Sequence, residues 1–338
     1  MLLPIASTVR EVSGIDWRAP PDELLRAREP VVLRGFVVDW PLVQAGRESA
    51  QQALAYLRRF MRDAEVMAMV APPQVGGRFF YNDNLSGFNF HVERPRLGAV
   101  LNGLQAQLQA SDPPALYLGS TTVDTFFPGL GGDNHVELGE RGALYSIWIG
   151  NRTRIAAHQD LPDNLACVAV GRRRFTLFPP DQLANLYIGP LDLTPAGQAI
   201  SLVDFAAPDY AKFPRFAEAL RHAQVAELEA GDALFIPSLW WHHIEALEPF
   251  NVLLNYWWRQ SPEFMDTPMN ALMLAILAVR DLPPGEREAW QEIFRHYVFE
   301  ACEETSAHIP AAARRVLAPL DADSARELRA RLLKRINR

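Results

Sequence analysis

The sequence predicts a mainly β fold with added helices, built on a barrel or double-sheet jelly roll. Between Ala115 and Trp258, eight short β-rich runs are separated by Gly, Pro, Asn and Asp. Ahead of them the pattern mixes short apolar runs with helical periodicity, and beyond Trp258 the β signal stops and helical periodicity takes over.

Residues 1–110 read as a mixed α/β region packing on the barrel. They hold the apolar run Pro30-Val-Val-Leu-Arg-Gly-Phe36 and an amphipathic pattern over Ser49–Phe60. Residues 111–260 form the predicted jelly-roll core. Its strands are Ala115–Leu118, Ala143–Ile149, Arg154–Ala157, Leu165–Val170, Arg174–Phe178, Val225–Leu228, Ala233–Ile236 and Asn251–Trp257. Residues 261–338 form a helical appendage, with helices expected over Pro268–Leu282, Pro284–Glu304 and Ser324–Ile336 because Pro or Asp punctuates their starts. The Gly-rich stretch Pro128-Gly-Leu-Gly-Gly-Asp-Asn134 lacks the Lys-Ser/Thr ending of a phosphate loop and reads as a surface loop.

Bulk properties narrow the function classes. A chain of 338 residues that is 49% hydrophobic can bury a large core. The net charge of −7, with no basic block beyond Arg172-Arg173-Arg174, leaves no electrostatic footprint for nucleic acid. No apolar run is long enough to span a bilayer, and the amino terminus lacks a signal-peptide pattern. Cys167 and Cys302 are far apart in apolar or helical contexts, which points to reduced thiols and a cytoplasmic protein. Lys212 and Lys334 are the only lysines among 33 basic residues, so positive charge in this chain is written as Arg.

The candidate metal site begins at Ala156-Ala-His-Gln-Asp160. At a strand end, the one-residue spacing projects His158 and Asp160 to the same side. Further on, Gly231-Asp-Ala-Leu-Phe-Ile-Pro leads into Trp240-Trp-His-His243, where a histidine following a strand completes a face of two imidazoles and one carboxylate. That donor set leaves coordination positions open and suits non-haem Fe(II). The spacing alone is weak, because about one His-x-acid pair is expected by chance and His91-Val-Glu93, His135-Val-Glu137 and His243-Ile-Glu245 also occur. The ordered combination with a barrel carries the argument. Neighbouring strand residues face opposite ways, so at most one of His242 and His243 looks into the site, and periodicity does not choose between them. His91, His135, His222, His296 and His308 read as surface or packing residues, and Trp148, Trp240, Trp241, Trp257 and Trp258 serve barrel packing at least as readily as substrate contact.

These segments resemble the JmjC/cupin-like hydroxylases, the Fe(II)- and 2-oxoglutarate-dependent family that contains the asparaginyl hydroxylase inhibiting hypoxia-inducible factor. The resemblance covers roughly residues 25 to 260. It runs through Glu29-Pro-Val-Val-Leu-Arg-Gly-Phe-Val-Val-Asp-Trp-Pro41, Ser146-Ile-Trp-Ile-Gly150, His158-Gln-Asp160, Arg174-Phe-Thr-Leu-Phe-Pro-Pro180, Val203-Asp-Phe205 and Gly231 to Trp257. It implies His158, Asp160 and His242 as both metal ligands and catalytic centre, with His243 in a supporting or packing role. It also implies Asn164 and Asn255 as amides lining the co-substrate pocket. The family's usual lysine anchor for the far carboxylate of 2-oxoglutarate falls on Arg173, whose guanidinium is still a permanent cation with a fork suited to carboxylates. Ile155 stands where the family often has a hydroxyl donor; Tyr117 matches a tyrosine that reaches the same carboxylate, and Thr153 offers a hydroxyl two positions from Ile155.

The resemblance thus implies a hydroxylase using Fe(II), 2-oxoglutarate and O2 on a protein side chain or a small molecule. A cupin metalloenzyme that does not use 2-oxoglutarate and a non-catalytic cupin-fold binding protein are the alternatives. The apolar faces of Met269–Val279 and of Trp290, Ile293, Phe294, Tyr297 and Val298 predict a homodimer through the C-terminal helices.

Overall fold

The structure, a computed structural model, describes residues 3–337. The chain divides into a compact unit ending at Gln260 and a second beginning at Ser261.

In chain order the first unit contributes β1 (Ser7–Thr8), β2 (Arg10–Ser13), β3 (Val31–Arg34), α1 (Pro41–Glu48), α2 (Ala50–Phe60), β4 (Ala68–Ala71), β5 (Arg78–Phe79) and β6 (His91–Glu93). Next come α3 (Leu97–Ala106), β7 (Ala115–Thr122), α4 (Val123–Phe126), β8 (Leu144–Gly150), β9 (Arg154–Gln159), β10 (Asp163–Val170) and β11 (Arg173–Phe178). It ends with α5 (Phe216–Arg221), β12 (Gln224–Leu228), β13 (Ala233–Ile236), β14 (Trp241–Ala246) and β15 (Asn251–Trp258). These strands form a six-stranded sheet, β1-β12-β11-β14-β9-β5, and a nine-stranded sheet, β2-β3-β13-β10-β15-β8-β7-β4-β6. The result is a jelly roll.

Alternation sorts side chains between the inside of the roll and its outer faces. Phe175, Leu177, Ala226, Leu228 and Ile244 of the six-stranded sheet meet Ala166, Val168, Leu234, Ile236 and Leu253 of the nine-stranded sheet. On the outer face of the larger sheet, Leu165, Cys167, Leu254 and Tyr256 pack with Leu54, Leu57, Leu101 and Leu104 of α2 and α3. The outer face of the smaller sheet carries Phe178, Phe205, Phe216 and Trp241. Strand β10 is buried along its whole length because helices cover one face and the opposite sheet the other. Each fully buried Leu, Ile or Phe in these layers contributes about 1.5–3 kcal/mol.

Residues before 111 enter both sheets: β3 pairs with β13 in the nine-stranded sheet, while β1 pairs with β12 and β5 with β9 in the six-stranded one. Short paired strands of two to four residues carry too few alternations to be read from sequence. In α2, Ser49 caps the helix by accepting a hydrogen bond from Gln52 N at 3.1 Å. Gly231, at φ +105°, makes the turn before β13; a side chain there would be strained and would meet the Val38 backbone at 3.1 Å.

Strand β14 itself is absent from the expected strands, and His242 lies on it rather than after one. The run Trp241-His-His-Ile-Glu-Ala246 has neither an unbroken apolar character nor a clean alternation, since polar His242 faces inward.

The second unit holds α6 (Pro268–Ala278), α7 (Pro284–Phe294) and α8 (Ala322–Ile336). The helix expected to reach Glu304 ends earlier: α7 passes into a π-turn over Arg295–Phe299, and a 3₁₀ turn follows at Glu303–Ser306. Among the described residues, no helix is long and apolar enough to cross a membrane.

Candidate metal and co-substrate site

Strands β9 and β14 run antiparallel with His158 directly opposite His242, and that pairing brings the two rings to a 4.3 Å centroid separation on the inner face. His158 Nδ1 donates to the carbonyl of Ala156 and His242 Nδ1 to that of Trp240, each at 2.9 Å. A carbonyl only accepts, so both Nδ1 atoms carry the proton and both Nε2 lone pairs remain free for a cation. Asp160 follows the end of β9, where its backbone carbonyl accepts from Leu239 N at 2.9 Å. Its Oδ2 lies 3.6 Å from His242 Nε2 and its Oδ1 accepts from Gln198 Nε2 at 3.1 Å. One donor atom from each of His158, Asp160 and His242 falls within 4.8 Å of the others.

Burial, reinforced by the neighbouring His242 ring, lowers His158 to about 4 and keeps it neutral near pH 7. Burial works against ionisation of Asp160, but the His242 and His158 rings outweigh it and hold the carboxyl below its usual range. His158 therefore presents a neutral imidazole beside the Asp160 carboxylate.

His243 points the other way. It pairs with Thr176 on the outer face of β14 and its ring lies 4.5 Å from that of Phe205. Burial, with Arg154 and Arg78 adding positive charge nearby, lowers it to about 3. Of the remaining histidines, His91 pairs with Glu93 and His222 with Glu218 at the surface, while His135 packs against Tyr145 and Tyr256.

Arg173 opens β11 on the inner face, with Phe175 and Leu177 following at alternate positions. It is 1% exposed, and its Nε has no hydrogen-bond partner. Its neighbours in the triplet are both neutralised: Arg172 pairs with Glu248 at 2.7 Å, and Arg174 with Glu227 at 2.6 Å. No carboxylate among the described residues forms an ion pair with Arg173, and burial lowers its pKa. Tyr117 lies beside it; burial pushes the phenol up, against the downward pull of the Arg173 charge. Across β14, Ala246 pairs with Arg173 and donates its N–H to the Thr153 carbonyl at 2.8 Å, so Thr153 is in the same row.

The inner-facing amides are linked: Trp148 Nε1 donates to Asn255 Oδ1 at 2.7 Å, and Asn255 Nδ2 to Asn164 Oδ1 at 3.2 Å. Ser146 Oγ and Trp257 Nε1 are buried without partners on the same row of strands. Ile155 packs with Phe79, Tyr117 and Trp148 in place of a hydroxyl donor. The structure thus assembles His158, Asp160, His242, Arg173, Tyr117, Asn164 and Asn255 in one barrel. Gln198 is an addition that no spacing rule announces, since it comes from the loop Gly189–Gln198.

Among curated proteins, the chain is similar to the bifunctional peptidase and (3S)-lysyl hydroxylase JMJD7 of Homo sapiens, 26% identical over 72% of this chain and 79% of that protein. It is 33% identical to the lysine-specific demethylase JMJ31 of Arabidopsis thaliana over 36% of this chain and 23% of that protein. It is 37% identical to the tRNA wybutosine-synthesizing protein 5 of Gallus gallus over 31% of this chain and 30% of that protein. The chain therefore spans less than a third of the length of these last two relatives. The sequence profile of the cupin-like domain, Cupin_8, matches residues 18–264, a stretch holding β3 to β15 and every residue of the site, and the chain belongs to that family.

Proposed function

We propose that this protein is an Fe(II)- and 2-oxoglutarate-dependent oxygenase that hydroxylates a protein side chain or a small molecule. One observation carries the reading: a fully buried guanidinium without a carboxylate partner stands on the same inner face as two imidazoles and a carboxylate. An uncompensated buried cation is costly, and an anionic ligand supplies the missing partner. A dicarboxylate such as 2-oxoglutarate satisfies both ends, one carboxylate at Arg173 and the other at a cation held by His158, Asp160 and His242.

Bound Fe(II) with O2 supplies the oxidising power for hydroxylation, coupled to conversion of 2-oxoglutarate into succinate and CO2. The protein does the rest. His158, Asp160 and His242 would hold the cation, a donor set that suits non-haem Fe(II). Arg173 and Tyr117 orient the co-substrate, the Asn164–Asn255–Trp148 chain lines the pocket, Thr153 lies in the Arg173 row, and the two sheets exclude water. A cupin enzyme that does not use 2-oxoglutarate has no need of an unpaired arginine at that depth, and a non-catalytic binding protein has no need of Asp160 beside two imidazoles.

A protein substrate is favoured by similarity to a lysyl hydroxylase over 79% of its length and by the net charge of −7, which suits neutral or basic segments rather than nucleic acid. The two free cysteines support a reducing, cytoplasmic setting. A homodimer through the second unit is supported by the absence of any buried residue in α6 and α7, although Leu272, Leu277, Trp290 and Ile293 lie on them. The test of the activity is mass spectrometry of lysate proteins and metabolites incubated with enzyme and Fe(II). The expected result is a shift of about 16 Da that requires 2-oxoglutarate and is lost in Asp160→Ala; a shift independent of 2-oxoglutarate refutes the reading.

A further inference from the structure

Resting on the metal site of that reading, we infer that Gln198 is a positioning residue that holds Asp160 as a one-oxygen ligand. The two oxygens of Asp160 have different surroundings. Oδ1 accepts the Gln198 side-chain N–H at 3.1 Å, while Oδ2 faces His242 Nε2 at 3.6 Å. An engaged Oδ1 is kept off the cation, so the carboxylate occupies one coordination position and the open face keeps its full width.

The fold delivers Gln198 to this place. Ile200 bridges to His158 and Ser201 N donates to the Ala157 carbonyl at 2.7 Å, which pins the chain two residues beyond Gln198 against β9. The loop Gly189–Gln198 is closed by Gly189 N donating to the Ile200 carbonyl at 2.9 Å, and its middle is tied by the Tyr81 hydroxyl donating to the Leu193 carbonyl at 2.6 Å. The same segment thereby buttresses the backbone of one ligand and the carboxylate of another. The choice of an amide follows from charge. Arg or Lys would give the same hydrogen bond but would form an ion pair with Asp160 and repel the cation, whereas Gln donates without charge.

The experiment uses the full-length metal-free protein titrated with Co(II) alone, read by calorimetry and by the ligand-field absorption bands. Gln198→Leu is expected to weaken Co(II) binding by about 10- to 100-fold and to change the band pattern as both Asp160 oxygens reach the metal. In an Asp160→Ala background the same substitution is expected to have no further effect, which a merely structural role would not produce. Gln198→Met serves if the Leu variant does not fold. Wild-type affinity and spectrum in either folded variant, an equal loss in the Asp160→Ala background, or failure of both variants to fold overturns the inference. Co(II) binding that is equal in wild type and in His158→Ala instead overturns the metal site itself, and the inference with it.

Discussion

Replacing Arg173 with Met should stabilise the protein in the absence of 2-oxoglutarate while weakening its affinity for that ligand. The guanidinium is 1% exposed, its Nε is unpartnered and burial lowers its pKa, so the folded apoprotein carries the cost of a desolvated charge. Methionine fills most of the same volume without a charge, and exchanges of this kind have stabilised proteins by about 1–4 kcal/mol. For a domain of this size each kcal/mol raises Tm by about 2–4 °C. In the ligand-bound state the balance reverses, because the charge-assisted pair with a carboxylate contributes roughly 1.5–3 kcal/mol. Its loss weakens 2-oxoglutarate binding by about 10- to 150-fold. The assay is thermal unfolding of the Mn(II)-loaded protein across a 2-oxoglutarate titration, with calorimetry for affinity. Wild type should gain stability as ligand saturates and the variant should start higher and gain little. Arg173→Lys should be milder than Arg173→Met in its loss of affinity, since it keeps the charge but not the fork. A variant that is less stable without ligand and binds 2-oxoglutarate like wild type refutes the argument.

Three further outcomes are expected. Metal-free protein should lose stability as pH falls from about 6.5 toward 4: buried His158 and His243 are held near about 4 and about 3, so the unfolded chain binds protons first. Each contributes a loss of about 2 kcal/mol between pH 6.5 and 5, measurable by urea unfolding, and His243→Leu should flatten the slope. His242→Ala should abolish stoichiometric Fe(II) binding and His243→Phe should retain it, as read by metal analysis after gel filtration; equal metal content in both refutes the inward assignment of His242. Light scattering should give twice the 37.9 kDa chain mass, and a Leu277→Glu, Phe299→Glu variant should give one chain mass; a concentration-independent monomer in the wild type removes the dimer.

The barrel is legible in the sequence because strands such as Ala233–Ile236 are short apolar runs between turn residues, and the observed bounds fall within a few residues of those expected. Strand β14 is not legible because inward-facing His242 stands where an apolar residue would continue the pattern used to find strands. The same conflict hides the choice between His242 and His243, which only register and ladder pairing resolve. Arg173 can be picked from its triplet by family resemblance, but its lack of an acidic partner depends on where Glu227 and Glu245 fall on the neighbouring strands and Glu248 in the turn after β14. Gln198 reaches the site through a loop, tied at Leu193 by Tyr81, whose path no periodicity encodes.

The register match of His158 with His242 bears on how the barrel holds itself shut. These residues lie 84 positions apart in the chain, and a cation held by both rings would cross-link two adjacent strands. By the loop-closure argument used for disulfides, a staple across that separation removes unfolded-chain entropy equivalent to about 4.5 kcal/mol. The edge of the six-stranded sheet formed by β9 and the two-residue β5 is thus the segment most dependent on the staple. In amide hydrogen exchange, protection along Arg154–Gln159 is the signal that should follow metal occupancy, while the doubly covered strand Asp163–Val170 should stay protected with or without it.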